Sequence, residues 1–165
     1  MLATTSSRTR PIEEWTVGEV MTRDLLTIAA GDTMLMAWEL MRSGDHHHLP
    51  VVTEHGHLLG VLDAETIAGQ WQCGPDRNRR PAGSLLQGRR CVSVGPADPV
   101  TTAAQVMTRQ KIDAVAVIDS HDRLVGLVTA RGLVAALAGV PQQDAGRSPS
   151  APSLYRIEPV MPPGG

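Results

Sequence analysis

The residues best suited to chemistry lie in two polar turns, each of which follows an apolar run that contains a glycine. The first turn begins at Asp63 and reaches Thr66, and the second begins at Thr129 and reaches Gly132. An apolar run that changes into a helical pattern predicts a buried strand followed directly by a helix. The first N–H groups of such a helix, together with nearby hydroxyls, can hold an anion. Both turns are therefore predicted ligand-binding positions.

Histidines form a second group with chemical potential. His46, His47 and His48 are consecutive, and His55 and His57 follow in the same stretch. Neutral imidazole is a good ligand for Zn, Ni or Cu, so a metal site at His46 and His48 is one interpretation. Adjacent residues of a strand point to opposite faces, so three consecutive histidines cannot meet one ion there. A histidine-rich strand without metal is the favoured interpretation.

Arginines cluster between the two turns, at Arg77, Arg79, Arg80, Arg89 and Arg90. They suggest either contact with phosphate groups or a solvated loop. No aromatic residue suited to base stacking lies among them, which argues against single-stranded nucleic acid. The solvated loop is favoured.

Several function classes receive no support. The chain has a net charge of −2, so no strong field favours nucleic acid or a membrane surface. It has no Gly-rich phosphate loop, nucleophile elbow or metal-hydrolase motif, and we predict that it is not an enzyme. No apolar run reaches the ~20 residues of a membrane span, and residues 1–10 do not resemble a secretory signal.

Composition indicates an aliphatic, methionine-rich core. Apolar residues make up 42% of the chain, with no Phe, three Trp and one Tyr. The two cysteines, Cys73 and Cys91, have no metal-type or redox-type spacing. They are predicted to be free thiols in a reducing environment, which favours a cytoplasmic location over an oxidising one.

The elements that position the two turns repeat along the chain. At a constant offset of 66 residues, Gly60 matches Gly126 and Ile67 matches Leu133, and apolar positions match throughout. Each copy predicts the order β-α-β-β-α, in an α+β fold whose two units bury their open faces on each other. The helix after the first strand carries a core-facing stripe in both copies, formed by Met34, Ala37, Trp38 and Met41, then Val100, Ala103, Ala104 and Met107.

The pattern divides the chain into five predicted segments. They are a flexible arm at 1–14, a first repeat at 15–71, a linker at 72–81, a second repeat at 82–138 and a disordered Pro/Gly-rich tail at 139–165. Docking of Leu154–Ile157 on another surface is the less favoured interpretation of the tail.

The repeat resembles the CBS domain, and the pair resembles a Bateman module, over about residues 15–138. Each motif is weak alone, but the same order occurs twice. His48 belongs to the His-Leu-Pro part of this resemblance, where it needs no metal. The motifs are Val20–Arg23, Thr27-Ile28, His48–Val52 and Leu58–Leu62 in the first copy, and Val92–Val94, Ala114–Asp119 and Leu124–Thr129 in the second.

The resemblance implies a pseudo-symmetric regulatory module, not a catalyst. Such modules hold an adenosine-containing ligand, such as AMP, ADP, ATP or S-adenosylmethionine, in the cleft between repeats. The signal would pass through dimer geometry or a separate regulated protein. The ligand-binding positions that the resemblance implies are Thr27, His48, Asp63, Thr66, Ser93, Ala114, Val115, Thr129, Arg131 and Gly132.

Both copies depart from the family pattern Gly-x-x-(Ser/Thr)-x-x-Asp, in which the hydroxyl contacts phosphate and the Asp holds the ribose. The second copy keeps Thr129 but has Gly132 at the Asp position, although Arg131 can pair with a phosphate. The first copy has Asp63 at the hydroxyl position and Thr66 at the Asp position. Helix capping alone explains Asp63, and it explains Thr129 equally well. We therefore expect at most one nucleotide site, in the second copy. The alternative is a dimerising scaffold with degenerate pockets.

The predicted helices also suggest a homodimer. Met36 and Leu40 lie away from the core stripe, and Val106 occupies the position that matches Leu40. A helix that is apolar on two faces is usually covered on both. We expect these residues to contact a second chain, because modules of this family commonly pair into a flat dimer. Coverage by the arm or the tail is the alternative.

Overall fold

A computed structural model describes residues 10–44, 46–74 and 77–139. Its elements, in chain order, are a 3-10 helix at Ile12–Glu14, α1 at Val17–Val20, β1 at Ile28–Ala29, α2 at Met34–Gly44, β2 at His48–Val52, β3 at Leu58–Asp63, α3 at Ala64–Gly69, a second 3-10 helix at Ala82–Leu86, β4 at Ser93–Val94, α4 at Val100–Gln110, β5 at Ala114–Ile118, β6 at Leu124–Thr129 and α5 at Ala130–Leu137.

Two three-stranded sheets confirm the predicted repeat and the mixed α+β fold. In each sheet the first strand runs parallel to the second, and the second runs antiparallel to the third. Val51 of β2 pairs with Ile28 on one side and Gly60 on the other. Val117 of β5 makes the equivalent pairs in the second sheet. The two halves therefore share one strand register.

The predicted stripe of each long helix faces its own sheet. The stripe residues that are buried are Met34, Ala37 and Met41 of α2, and Val100, Ala103 and Met107 of α4. Trp38 and Ala104, which complete the two stripes in the sequence pattern, are only half-buried. The Trp38 ring instead lies 5.8 Å from the ring of Trp71, measured between centroids.

Each half is completed by a helical turn that precedes the other half in the chain. Val17 and Val20 of α1 are buried in the core around β4, β5 and α4. Ala82 and Leu85 of the second 3-10 helix are buried in the core around β1, β2 and α2. The exchange joins the two halves through their cores, which the local sequence pattern did not predict.

The segments at the edges of the repeats are also packed where they are described. Ile12 contacts the core of the second half, so the predicted arm is ordered at its inner end. Residues 1–9 and the tail from 140 onward lie outside the described residues. In the predicted linker, the Asn78 and Arg80 carbonyls accept the Leu35 and Met34 N–H groups at 3.0 and 2.9 Å. This segment therefore caps the start of α2. The limits of the two repeats stay a prediction.

Within the ranges described, no helix has both the length and the apolar character needed to cross a membrane.

Candidate functional site

The two polar turns are the points where β3 passes into α3 and β6 passes into α5. The Asp63 carboxylate accepts the Thr66 N–H at 2.6 Å, and the Thr129 hydroxyl oxygen accepts the Gly132 N–H at 3.0 Å. Each side chain thus occupies the N-cap position of the helix that follows. Capping, which the sequence offered as an explanation of both residues, is confirmed.

The first turn is closed by contacts among its own polar groups. The Thr66 hydroxyl donates to Asp63 Oδ2 at 2.8 Å, and it accepts from Arg89 Nη1 at 2.9 Å. Arg89 Nη1 also lies 3.7 Å from Asp63 Oδ2. Thr66 is buried in this arrangement. A ligand phosphate at this turn would meet a carboxylate and would have to displace internal hydrogen bonds.

The second turn has the opposite electrostatic character. Arg131 is exposed, and it forms no ion pair with the residues that the structure describes. The matching position in the first half is Glu65, also exposed. Gly132 offers no side chain at the position where the family pattern has Asp, so nothing on that residue can grip a ribose hydroxyl. The second turn combines a capped helix N-terminus with one unpaired cation.

The strand register brings the other predicted site residues beside these turns. Ala114 pairs with Thr129 across β5 and β6, and Val115 follows it along the strand. Ser93 pairs with Ala116 on the other side of β5. In the first half, His48 pairs with Asp63.

Thr27 stands apart from this pairing. It is exposed, immediately before β1. The role of each of these residues in ligand binding stays a prediction.

An apolar cluster lies where the two sheets meet, beneath the two turns. Ala114, Ala116 and Leu127 are its buried members. Half-buried side chains from both halves pack against them, namely Leu25, Leu58, Val61 and Leu124. The cleft between the halves therefore has an apolar floor, which suits the face of a flat base better than a charged group.

His48 stands at the edge of this cleft. Burial lowers the pKa of His48, while the carboxylates of Asp63 and Asp113 oppose that shift and His47 adds slightly to it. Asp113 belongs to the second half, so His48 faces charges from both halves. Among the described residues, no three His, Cys, Asp or Glu side chains are grouped so as to hold a metal ion. The metal interpretation of His46 and His48 therefore has no site in this part of the chain.

The contact of Arg89 with the first turn was missed by sequence reasoning. We assigned Arg89 to a solvated basic loop, whereas it reaches Asp63 and Thr66. It can do so because the 3-10 helix before it packs into the first half's core. Only knowledge of that exchange would have revealed the contact. Elsewhere in the cluster, Arg77 and Arg80 bond to nearby glutamine side chains. Cys73 and Cys91 are free and exposed, as predicted.

The predicted dimer residues contact their own chain as well as solvent. Met36 and Leu40 are half-buried against the first core, and Val106 is half-buried against the second. Part of each side chain is therefore available to a partner, and their place in an interface stays a prediction.

The family is now shown. A family model described as the CBS domain matches residues 17–70 and 86–139, which is more than half of the chain. The chain belongs to the CBS domain family.

Curated relatives include much longer enzymes. The homoserine O-acetyltransferase of Methanococcoides burtonii is 32% identical over 114 residues, which is 68% of this chain and 22% of that protein. The L-aspartate semialdehyde sulfurtransferase of Methanocaldococcus jannaschii is 25% identical over 117 residues, 71% of this chain and 22% of that protein. The chain therefore spans about a fifth of these relatives. A CBS domain-containing protein of Dictyostelium discoideum is 27% identical over 141 residues, covering 78% of this chain and 97% of that one.

Solved structures show the same fold. The CBS domain pair of protein MJ0100, in complex with 5′-methylthioadenosine and S-adenosyl-L-methionine, has a TM-score of 0.66 and 24% identity, covering 76% of this chain and 97% of that one. The CBS domain of a bacterial CNNM/CorC family Mg²⁺ transporter in complex with ATP has a TM-score of 0.68 and 23% identity, covering 78% and 91%.

Proposed function

We propose that this CBS pair is a regulatory module that senses an adenosine-containing ligand at the turn between β6 and α5. The observation that carries the proposal is the contrast between the two turns. Thr129 and Arg131 present a capped helix N-terminus and an unpaired cation. Asp63 and Thr66 are bonded to each other and to Arg89. A phosphate-bearing ligand therefore favours the second turn.

The chemistry of the second turn sets the ligand class. A helix N-terminus and a guanidinium both stabilise an anion, and the guanidinium can bind phosphate oxygens with charge-assisted hydrogen bonds. The apolar floor beside Ala114 and Ala116 offers a surface for the base. Because Gly132 cannot clamp the ribose, affinity should be modest, or the ligand should differ from AMP and ATP around the sugar.

Related proteins support the ligand class through their shared fold. The pair of MJ0100 holds 5′-methylthioadenosine and S-adenosyl-L-methionine, and the Mg²⁺ transporter domain holds ATP. AMP is bound in the structure of CBSX2, which has a TM-score of 0.66 to this chain.

The proposed output is a change in assembly. A ligand between the halves shifts the module's geometry only if it binds two states with different affinity. We propose that these states differ in the packing of a homodimer or in contact with a separate regulated protein. The match to about a fifth of two longer enzymes supports a regulatory role beside another activity. The proposed role includes no catalysis by this chain.

Titration calorimetry with AMP, ATP, S-adenosylmethionine and 5′-methylthioadenosine tests the proposal. Arg131→Gln should weaken ATP binding about tenfold, because one charge-assisted hydrogen bond is worth about 1.5 kcal/mol. The same variant should leave 5′-methylthioadenosine binding unchanged, since that ligand has no phosphate. Arg89→Gln is the matched control in the first half and should not weaken ATP binding.

Two results would contradict the proposal. Binding that is lost in Asp63→Ala but kept in Thr129→Val would place the ligand at the first turn. Absence of binding by all four ligands would favour the dimerising scaffold with degenerate pockets.

A further inference from the structure

The outward faces of α2 and α4 are equivalent in position but unequal in shape. A shallow depression of about 380 Å³ lies on the α4 face. Its lining residues come from successive turns of that helix, and they are Thr101, Ala104, Gln105, Thr108 and Arg109. The depression is the place where a neighbouring structure with a raised surface would fit.

The matching face of α2 is raised. The residues 66 positions earlier than the lining residues are Leu35, Trp38, Glu39, Arg42 and Ser43. Trp38 stands where α4 has Ala104, and its ring packs at 52° against Trp71. Trp71 leaves 40% of its surface exposed. This aromatic pair projects from the first half where the second half is hollow.

Charge also distinguishes the two faces. Glu39 on α2 and Arg109 on α4 are exposed, and neither forms an ion pair with the described residues. Two α2 faces brought together would crowd four tryptophan rings and oppose two Glu39 carboxylates. Two α4 faces would leave two depressions unfilled and oppose two Arg109 guanidinium groups. One face of each kind fills the hollow and joins opposite charges, which favours this pairing over both alternatives.

We infer that the occupant of the α4 depression is α2 of a second copy of this chain. In a two-fold dimer the contact occurs twice, since α2 of each copy meets α4 of the other. The two chains therefore pair head to tail, first half against second half. The inference rests on the homodimer proposed above and adds the identity of the contacting faces.

Cross-linking between differently labelled chains tests the pairing. In a background of Cys73→Ser and Cys91→Ser, one chain carries Glu39→Cys and a chain of different tag length carries Arg109→Cys. The two are co-expressed and treated with a short bis-maleimide. The expected product is the mixed dimer. Each variant expressed alone should give no cross-linked dimer.

The outcomes separate this inference from the proposed homodimer. Cross-linked dimers of Glu39→Cys alone, or of Arg109→Cys alone, overturn the head-to-tail pairing while the homodimer stands. A monomer by light scattering of the unmodified chain overturns both.

Exchange of bulk between the two faces gives a second test that needs no cross-link. Ala104→Trp fills the depression and should raise the dimer dissociation constant at least tenfold. Adding Trp38→Ala in the same chain should restore dimerisation, because the raised and hollow faces are then interchanged. Circular dichroism verifies that both variants fold. If the double variant dimerises more weakly than Ala104→Trp alone, α2 and α4 do not meet and the inference fails.

Discussion

The two polar turns differ at the level of single residues by an inversion. The family pattern places a hydroxyl first and a carboxylate three positions later. The first turn has a carboxylate first, Asp63, and a hydroxyl three positions later, Thr66. The two groups then bond to each other and to Arg89 rather than waiting for a ligand. The second turn keeps the hydroxyl of Thr129 and loses the carboxylate to Gly132. One inversion and one deletion thus explain why the turns are unequal.

A pH-dependent contribution to stability is expected at His48. Burial holds the pKa of His48 below its ordinary value of 6.5, against the pull of Asp63 and Asp113. As the pH falls through 6.5, the unfolded chain binds a proton at this residue before the folded chain does. Stability is therefore lost as the solution becomes acidic. In urea unfolding, the loss between pH 8 and pH 5 should be smaller in His48→Gln than in the unmodified chain.

The control for this prediction is His55→Gln. His55 is exposed in the turn after β2, and its replacement should leave the loss unchanged. If the unmodified chain and His48→Gln lose the same free energy of unfolding over this range, the predicted contribution of His48 is absent.

The residue-scale chemistry was partly predictable. The caps at Asp63 and Thr129 follow from residue type and position at the start of a helical pattern. The pairing of His48 with Asp63 follows from the repeat register. The contact of Arg89 with Thr66 does not, because it joins residues 23 positions apart through a segment whose packing partner is not encoded locally.

At the level of elements, the exchanged turns tie the halves together. The Gly18 N–H donates to the Pro96 carbonyl at 2.8 Å, and the Gly83 N–H donates to the Ala30 carbonyl at 3.0 Å. These contacts are equivalent under the internal repeat. They place the backbone of each turn directly against the loop after the first strand of the other half. A side chain at either glycine would enter that narrow space.

Alanine at either glycine should therefore destabilise the fold. A Cβ at Gly18 would lie 3.0 Å from the Pro96 carbonyl oxygen, and a Cβ at Gly83 would lie 3.0 Å from the Ala30 Cβ. Both neighbours are held in place by the hydrogen bonds just described, so they cannot easily yield. Each substitution should cost about 1 kcal/mol in urea unfolding, as overpacking typically does.

Gly31→Ala provides the comparison, because nothing lies within 4 Å of a Cβ at that position. It should change the free energy of unfolding by less than about 0.5 kcal/mol, as surface substitutions usually do. Equal stability of Gly18→Ala, Gly83→Ala and Gly31→Ala would show that the exchanged turns are not closely packed.

The elements themselves were predictable where the pattern is long. The stripe of Met34, Ala37 and Met41 identified α2 and its buried face correctly, because a 3.6-residue period over three turns is distinctive. The exchange was not predictable. Four residues of α1 carry too short a pattern to specify which of two similar sheets they cover. The choice is set by the tertiary fold.

For the whole molecule, the account describes one module with two similar halves and unequal surfaces. The halves share a strand register and exchange their first turns, yet they differ at the polar turns and on the outer helix faces. Evolutionary repetition explains the similarity, and the differences give the module a direction. The second half offers the open turn, while the first half offers the raised face of α2. A ligand bound at the second turn would therefore act beside the proposed contact between chains.

The central claim is that an adenosine-containing ligand binds at the turn between β6 and α5. Amide chemical shifts of isotope-labelled protein during titration with ATP test it most directly, because each turn has its own amide signals. The account predicts that the Arg131 and Gly132 amides shift with ATP concentration while the Ala64 and Thr66 amides do not. Shifts at Ala64 and Thr66, with Arg131 and Gly132 unchanged, would contradict the claim.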